Sequence, residues 1–109
     1  MTYKEIEEMI RNMGLKFTYY QWDVGSAPEL PYILFYYPER DDFHADDKNY
    51  VKITRLNIEL YSDNKDFEHE AIIEALLEEH EIIYEKEEQY IGEERMYETL
   101  YTMEVNINE

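Results

Sequence analysis

The chain has 109 residues, 44% of them hydrophobic and 16% aromatic, which is enough for one core and too little for two, so residues 1–109 read as a single domain. It has no cysteine, which removes a disulfide frame and a thiolate metal site. Twenty-seven acids against ten bases give a net charge of −17, a surface that repels DNA, RNA and anionic lipid and argues against direct phosphate binding.

The first stretch, MTYKEIEEMIRNMG, lacks the apolar centre of a signal peptide and carries acids that a transit peptide avoids. No apolar run approaches the roughly 18–20 residues of a membrane span. A reducing, cytoplasmic setting is the expectation. Thr2-Tyr3-Lys4-Glu5 fits a capping box. Ile6, Met9, Ile10 and Met13 follow at helical spacing and Gly14 offers a stop, so a helix is predicted from Tyr3 to Met13.

LKFTYYQWD alternates and is rich in aromatic and β-branched residues, which predicts a strand from Lys16 to Trp22; VGSAPELP is turn chemistry. The eight positions Leu30–Tyr37 are all Pro, apolar or aromatic, and a second strand is expected over Tyr32–Tyr37. Glu39–Asn49 reads as a charged loop. A third strand, Tyr50–Tyr61, changes its apolar phase: Val51 and Ile53 are odd, Leu56, Ile58 and Leu60 even. Either a bulge near Thr54–Arg55 or a strand with two apolar duties would produce that change.

Asp66 suits an N-cap, and a second helix is expected over Phe67–Glu79. Its apolar stripe is Ile72, Ile73, Leu76 and Leu77, with Glu68, Glu70, Glu74, Glu78 and Glu79 mostly off it. The remainder reads as a hairpin with arms Ile82–Tyr90 and Arg95–Val105 and Gly92 in the turn. In the last arm Tyr97, Tyr101, Met103, Val105 and Ile107 share one phase. The order α-β-β-β-α-β-β implies an α+β domain, a mainly antiparallel sheet of about five strands with two helices on one face.

Little in the chain speaks for catalysis. Ser26 and Ser62, the only serines, sit in no nucleophile elbow, and three glycines make no phosphate loop. Acid pairs are too numerous to single one out. Asp41, Asp42, Asp46 and Asp47 around His44 lack EF-hand spacing and read as a solvated loop. His69 and His80 stand about three turns apart and cannot share a metal; they read as surface histidines. No enzyme, cofactor or metal is expected. The twelve tyrosines carry more information. Two helices cannot cover all of them, and exposed aromatic patches mark contact surfaces.

PYILFYYPERDDFHADDKNYVKITRLNIELYSDNKDFEHEAIIEALLEEHEIIYEKEEQYIGEERMYETLYTMEV resembles a group of small proteins from tailed phages and prophages of Gram-positive bacteria. The shared features are P-Y-x-x-x-Y-Y at Pro31–Tyr37, A-D-x-x-x-Y at Ala45–Tyr50, I-E-L-Y-[ST]-D-x-K-D at Ile58–Asp66, and I-x-x-E-x-M-Y at Ile91–Tyr97. Relatives carry Pro at the first helical position, where this chain has Phe67. Such proteins look like tail-terminator or head–tail joining proteins. The resemblance implies a homo-oligomer, a hexameric ring at the head-proximal end of the tail tube, that ends tube polymerisation and meets the head connector. It implies assembly in the host cytoplasm and residence in the virion tail, without nucleic-acid or membrane binding. On that reading Tyr32, Tyr36, Tyr37, Phe43, Tyr50, Tyr61 and Tyr97 are the candidate subunit or partner contacts. The other expectation is an acidic DNA mimic that inhibits a nucleic-acid enzyme. It would be a monomer or dimer with carboxylates spaced along an elongated face.

Overall fold

The computed structural model describes residues 1–40, 43–44 and 50–108, apart from the side chains of Phe43, His44, Tyr50 and Val51. Helix α1 spans Tyr3–Arg11 and α2 spans Phe67–Glu79. The strands are β1 (Phe17–Tyr19), β2 (Tyr32–Tyr36), β3 (Phe43–His44), β4 (Tyr50–Ser62), β5 (Tyr84–Ile91) and β6 (Met96–Ile107). The sheet runs β1-β2-β4-β6-β5, with the two-residue β3 against the start of β4. All pairings are antiparallel except β1–β2. The α+β fold and its element order are as expected, with β3 as a short addition.

Local chemistry sets the boundaries. The Thr2 hydroxyl accepts from Glu5 N–H while the Glu5 carboxylate accepts from Thr2 N–H, completing the capping box. Gly14, at φ +83, turns the chain out of α1, a conformation that costs glycine little. The Asp66 carboxylate caps α2 through His69 N–H. Strand β1 is shorter than Lys16–Trp22: Tyr20 N–H still donates to Phe35 O at 2.8 Å, but its φ of +68 turns the chain away from β2. At the β5–β6 turn Arg95, three residues after Gly92 and just before β6, adopts φ +52.

One apolar layer joins both helices to one face of the sheet. Ile6, Met9, Ile10 and Met13 meet Ile33, Phe35, Leu56, Ile58, Leu60, Tyr101, Met103, Val105 and Ile107, while Ile73 and Leu77 close the layer from α2. The bulge near Thr54–Arg55 is absent. β4 and β6 pair without a break from Lys52↔Ile107 to Ser62↔Tyr97. The apolar phase changes because even positions face the helices, whereas Ile53 stands on the opposite face.

Two readings of α2 are corrected. Ile72 is exposed and Glu70 is buried. A helix lying over the β5–β6 hairpin takes its inward line from Glu70, Ile73 and Leu77, spaced three and four apart. His69 is not a free surface histidine: it is half-buried and its Nδ1 lies 2.7 Å from Asp66 Oδ2.

Candidate functional site

The second face of the sheet is left open by both helices. The strand registers place Tyr32, Leu34 and Tyr36 of β2 beside Tyr61, Glu59 and Asn57 of β4. These stand beside Glu98, Leu100 and Thr102 of β6, which in turn face Gln89, Glu87 and Glu85 of β5. An alternating strand whose other face builds a core would ordinarily present a solvated row here. Instead Tyr32, Glu59 and Glu98 are buried, at 8%, 9% and 8% exposure.

The centre of this face is a pair of carboxyls around one phenol. The Tyr61 hydroxyl lies 2.8 Å from Glu59 Oε2 and 3.0 Å from Glu98 Oε2. Gln89 Nε2 donates to the other oxygen of Glu98. A phenol has one hydrogen and can donate it once. Its second short contact is a hydrogen bond only if one carboxyl carries a proton. That carboxyl is Glu59. Burial pushes its pKa up from 4.5 to about 8, and the Glu98 charge adds to the effect. Burial also works to raise Glu98, but hydrogen bonds from Glu59, Gln89 and Tyr61 outweigh it and hold that carboxyl below its ordinary value. No cation figures among the groups acting on either carboxyl. The Tyr61 phenol is itself pushed far up by burial and by hydrogen bonding to Glu59.

Aromatic rings wall the pair on one side. Tyr61 packs on Tyr32 at 5.5 Å between ring centroids, and Tyr32 takes the edge of Trp22 at 5.6 Å and 82°. Tyr20 meets Tyr36 edge-on at 5.2 Å, and Asn57 Nδ2 donates to the Tyr36 hydroxyl. The start of the segment 20–31 is thus tied to the open face by two aromatic contacts, one at each end of β2. Trp22 Nε1 and Asn57 Oδ1 are buried with no hydrogen-bond partner among the described residues.

Split pKa values in a buried acid pair are a signature of acid–base chemistry. Here the Tyr61 hydroxyl fills the space between the two carboxyls, where a glycosidase would hold the scissile bond. The adjoining hollow is lined by Glu87, Glu88, Gln89, Glu98 and Leu100 and does not include Glu59.

A second polar cluster lies on the helix side. Buried Glu70 takes Lys65 at 2.5 Å and Lys86 at 2.7 Å, and Lys86 also reaches Glu74 at 2.8 Å. Lys65 also pairs with Glu88, and the Tyr101 hydroxyl donates to Glu74 at 2.7 Å. Burial works against the Lys86 charge, but the bonds to Glu70 and Glu74 prevail and raise its pKa to about 12. These charges pin α2 to the hairpin. Among the described residues no three His, Asp or Glu side chains converge on a point that could hold a metal ion. The acidic residues Asp41, Asp42, Asp46 and Asp47 lie outside the described residues.

The seven candidate contact residues do not form one surface. Tyr32, Tyr36 and Tyr61 share the open face, as the registers require. Tyr37 does not join them. It packs on the helix side against Tyr3 at 5.1 Å and Tyr19 at 5.9 Å, because β2 ends at Tyr36 and the chain there closes over α1. Tyr97 is half-buried on the helix side with the exposed Tyr90 at 4.8 Å. The side chains of Phe43 and Tyr50 lie outside the description. Glu59, Glu98, Gln89 and Trp22 are the site residues that the sequence did not reveal. Alternation alone would have put Glu59 on the open face, but its pairing with Glu98 follows from the β4–β6 register.

No protein-family model matches the chain, and no curated protein sequence matches it. No helix among the described residues is long and apolar enough to cross a membrane.

Proposed function

We propose that the chain is a ring-forming structural protein of a phage or prophage tail. It sits at the head-proximal end of the tail tube, stops tube polymerisation and joins the tube to the head connector. The observation that carries this reading is the placing of five exposed apolar side chains; two more among the described residues, Phe67 and Ile72, lie on α2. Tyr19 and Tyr20 stand at the β1 edge of the sheet, at 49% and 59% exposure, and Val24, in the turn that follows, is fully exposed. Ile83 and Tyr90 stand at the opposite, β5 edge, at 90% and 54%. Exposed apolar side chains of different identity along two opposite edges suit a head-to-tail contact between copies, and head-to-tail contacts that close make rings. The resemblance at Pro31–Tyr37 and Ile58–Asp66 supplies the tail context, and with it a host-cytoplasm assembly stage and a final place in the virion.

The test is mass in solution by light scattering after gel filtration, across concentrations and with purified tail-tube protein added. A ring-sized species, alone or on tube ends, is expected. A stable monomer that ignores tubes would remove the reading.

One observation favours the acidic-mimic reading as the second choice. The chain measures 51 × 29 × 22 Å, and residues 66–109 hold fifteen acids and two bases. One of those bases, Lys86, is already engaged by Glu70 and Glu74. Salt-sensitive binding to a basic nucleic-acid enzyme by a monomer or dimer would move the assignment there.

A further inference from the structure

We infer that Glu59, Tyr61 and Glu98 form a proton-operated clasp that holds the segment 20–31 on the open face of the sheet, acting through the rings of Tyr32 and Trp22. The inference rests on the geometry of this face and does not depend on the ring reading.

With one proton in the pair, every short contact is a good hydrogen bond. Glu59 carries the proton, Glu98 carries the charge, and Tyr61 and Gln89 hold the two oxygens of Glu98. Loss of that proton leaves two buried carboxylates and a single phenolic hydrogen between them. One carboxylate must then turn toward water. Tyr61 can follow only one of them, and its ring is the floor on which Tyr32 rests. Tyr32 in turn holds Trp22. The contact that ties Trp22, near the start of segment 20–31, to the sheet therefore depends on a proton held by Glu59, two residues before Tyr61 on β4.

Among the described residues, the charges around the pair leave the proton as the compensating positive group. From β2 the pair faces Leu34, with Tyr32 and Tyr36 on either side. From β6 it faces Leu100, with Glu104 farther along and bound to Arg55. From β5 it faces Gln89 and Glu87. On β4 itself the neighbours on this face are Asn57 and Tyr61, and Arg55 is held by Glu39 and Glu104. Glu94 of the β5–β6 turn acts on Tyr32, whose own pKa is raised first by burial and then by that charge. His69 and His80 belong to α2, across the sheet from Trp22. The Glu59 proton leaves at about pH 8, within reach of ordinary buffers.

Trp22 is the single tryptophan, so its emission reports the clasp directly. The experiment follows the emission maximum and acrylamide quenching from pH 6 to pH 9.5, with far-ultraviolet circular dichroism recorded on the same samples. The expected result is one transition near pH 8, to redder emission and stronger quenching, at constant dichroism. Glu59→Gln should show no transition in this range. Glu98→Gln should move the midpoint down, because Glu59 loses a neighbouring charge. A flat wild-type profile overturns the inference, as does an equal transition in Glu59→Gln or one that coincides with loss of the dichroism signal. If Glu59→Gln does not fold, carbon-13 titration of the wild-type Glu59 carboxyl decides. A midpoint near pH 8 upholds the clasp and one near pH 4.5 overturns it.

Discussion

Glu59 changes the pH dependence of stability in a direction opposite to most carboxylates. Its pKa is 4.5 in an ordinary setting and about 8 in the fold, so the folded state holds a proton that the unfolded state has lost. The stability it contributes is complete below 4.5 and is lost as pH rises through 8. Glu98, lowered in the fold, works in the other sense: its contribution is present above 4.5 and lost as pH falls below its own lowered value. The pair is therefore most favourable near pH 4.5 and weakens toward pH 8. Melting temperature should fall by roughly 5 °C or more over that span, given the usual few degrees per kcal/mol for a domain of this size. In Glu59→Gln most of that fall should vanish. The tyrosines separate equally clearly. Tyr37→Glu would put a charge among Tyr3, Tyr19 and Phe35, and should cost about 2–4 kcal/mol in urea unfolding. Tyr36→Glu, on the open face, should cost about 1 kcal/mol and is the better probe of a surface contact.

Among the elements, α2 is held by charge as much as by grease. Ile73 and Leu77 reach the core, while Glu70 gathers Lys65 and Lys86 beneath the helix. Removing one lysine leaves Glu70 the other. Removing both, as Lys65→Met with Lys86→Met, leaves a buried carboxylate with no counter-charge. The double variant should lose about 3–5 kcal/mol and more than the two singles together, as chemical denaturation would measure. How legible these elements were follows from what fixes them. Helix α1, the second helix and the hairpin could be read because caps, a glycine turn and apolar periods are local. The Glu59–Glu98 pair and the Glu70–Lys86 pair could not, because each joins residues more than a dozen positions apart through a strand register or helix docking angle. Ile72 misled for a related reason. Spacing identifies a stripe on a helix, but the partner surface decides which edge of the stripe is covered.

At the scale of the whole molecule, the sheet has two dissimilar ends. If copies join β1 edge to β5 edge, a charged substitution at either edge should stop assembly while leaving the subunit folded. Val24→Glu with Tyr20→Glu would block one edge, and Ile83→Glu with Tyr90→Glu the other. Each double variant should run as a monomer. An equal mixture of the two should give a dimer and nothing larger, since each then keeps one good edge and the two good edges differ. A two-fold, same-to-same contact predicts no such rescue, so sedimentation of the mixture separates the two arrangements.

The unbroken β4–β6 pairing also bears on how the protein is made. β4 is synthesised before α2, β5 and β6; β2 can pair Asn57–Tyr61 at once, but the edge that runs from Lys52 to Ser62 waits for β6. Until β6 has left the ribosome, Leu56, Ile58 and Leu60 lack the Tyr101–Met103 side of their layer, and one edge of the strand has open amides. The β5–β6 hairpin can close in microseconds once it exists, but joining β4 to it waits on the ribosome. A nascent chain stalled between α2 and β6 would leave that apolar strand and its open amides exposed, the kind of intermediate that associates with other copies.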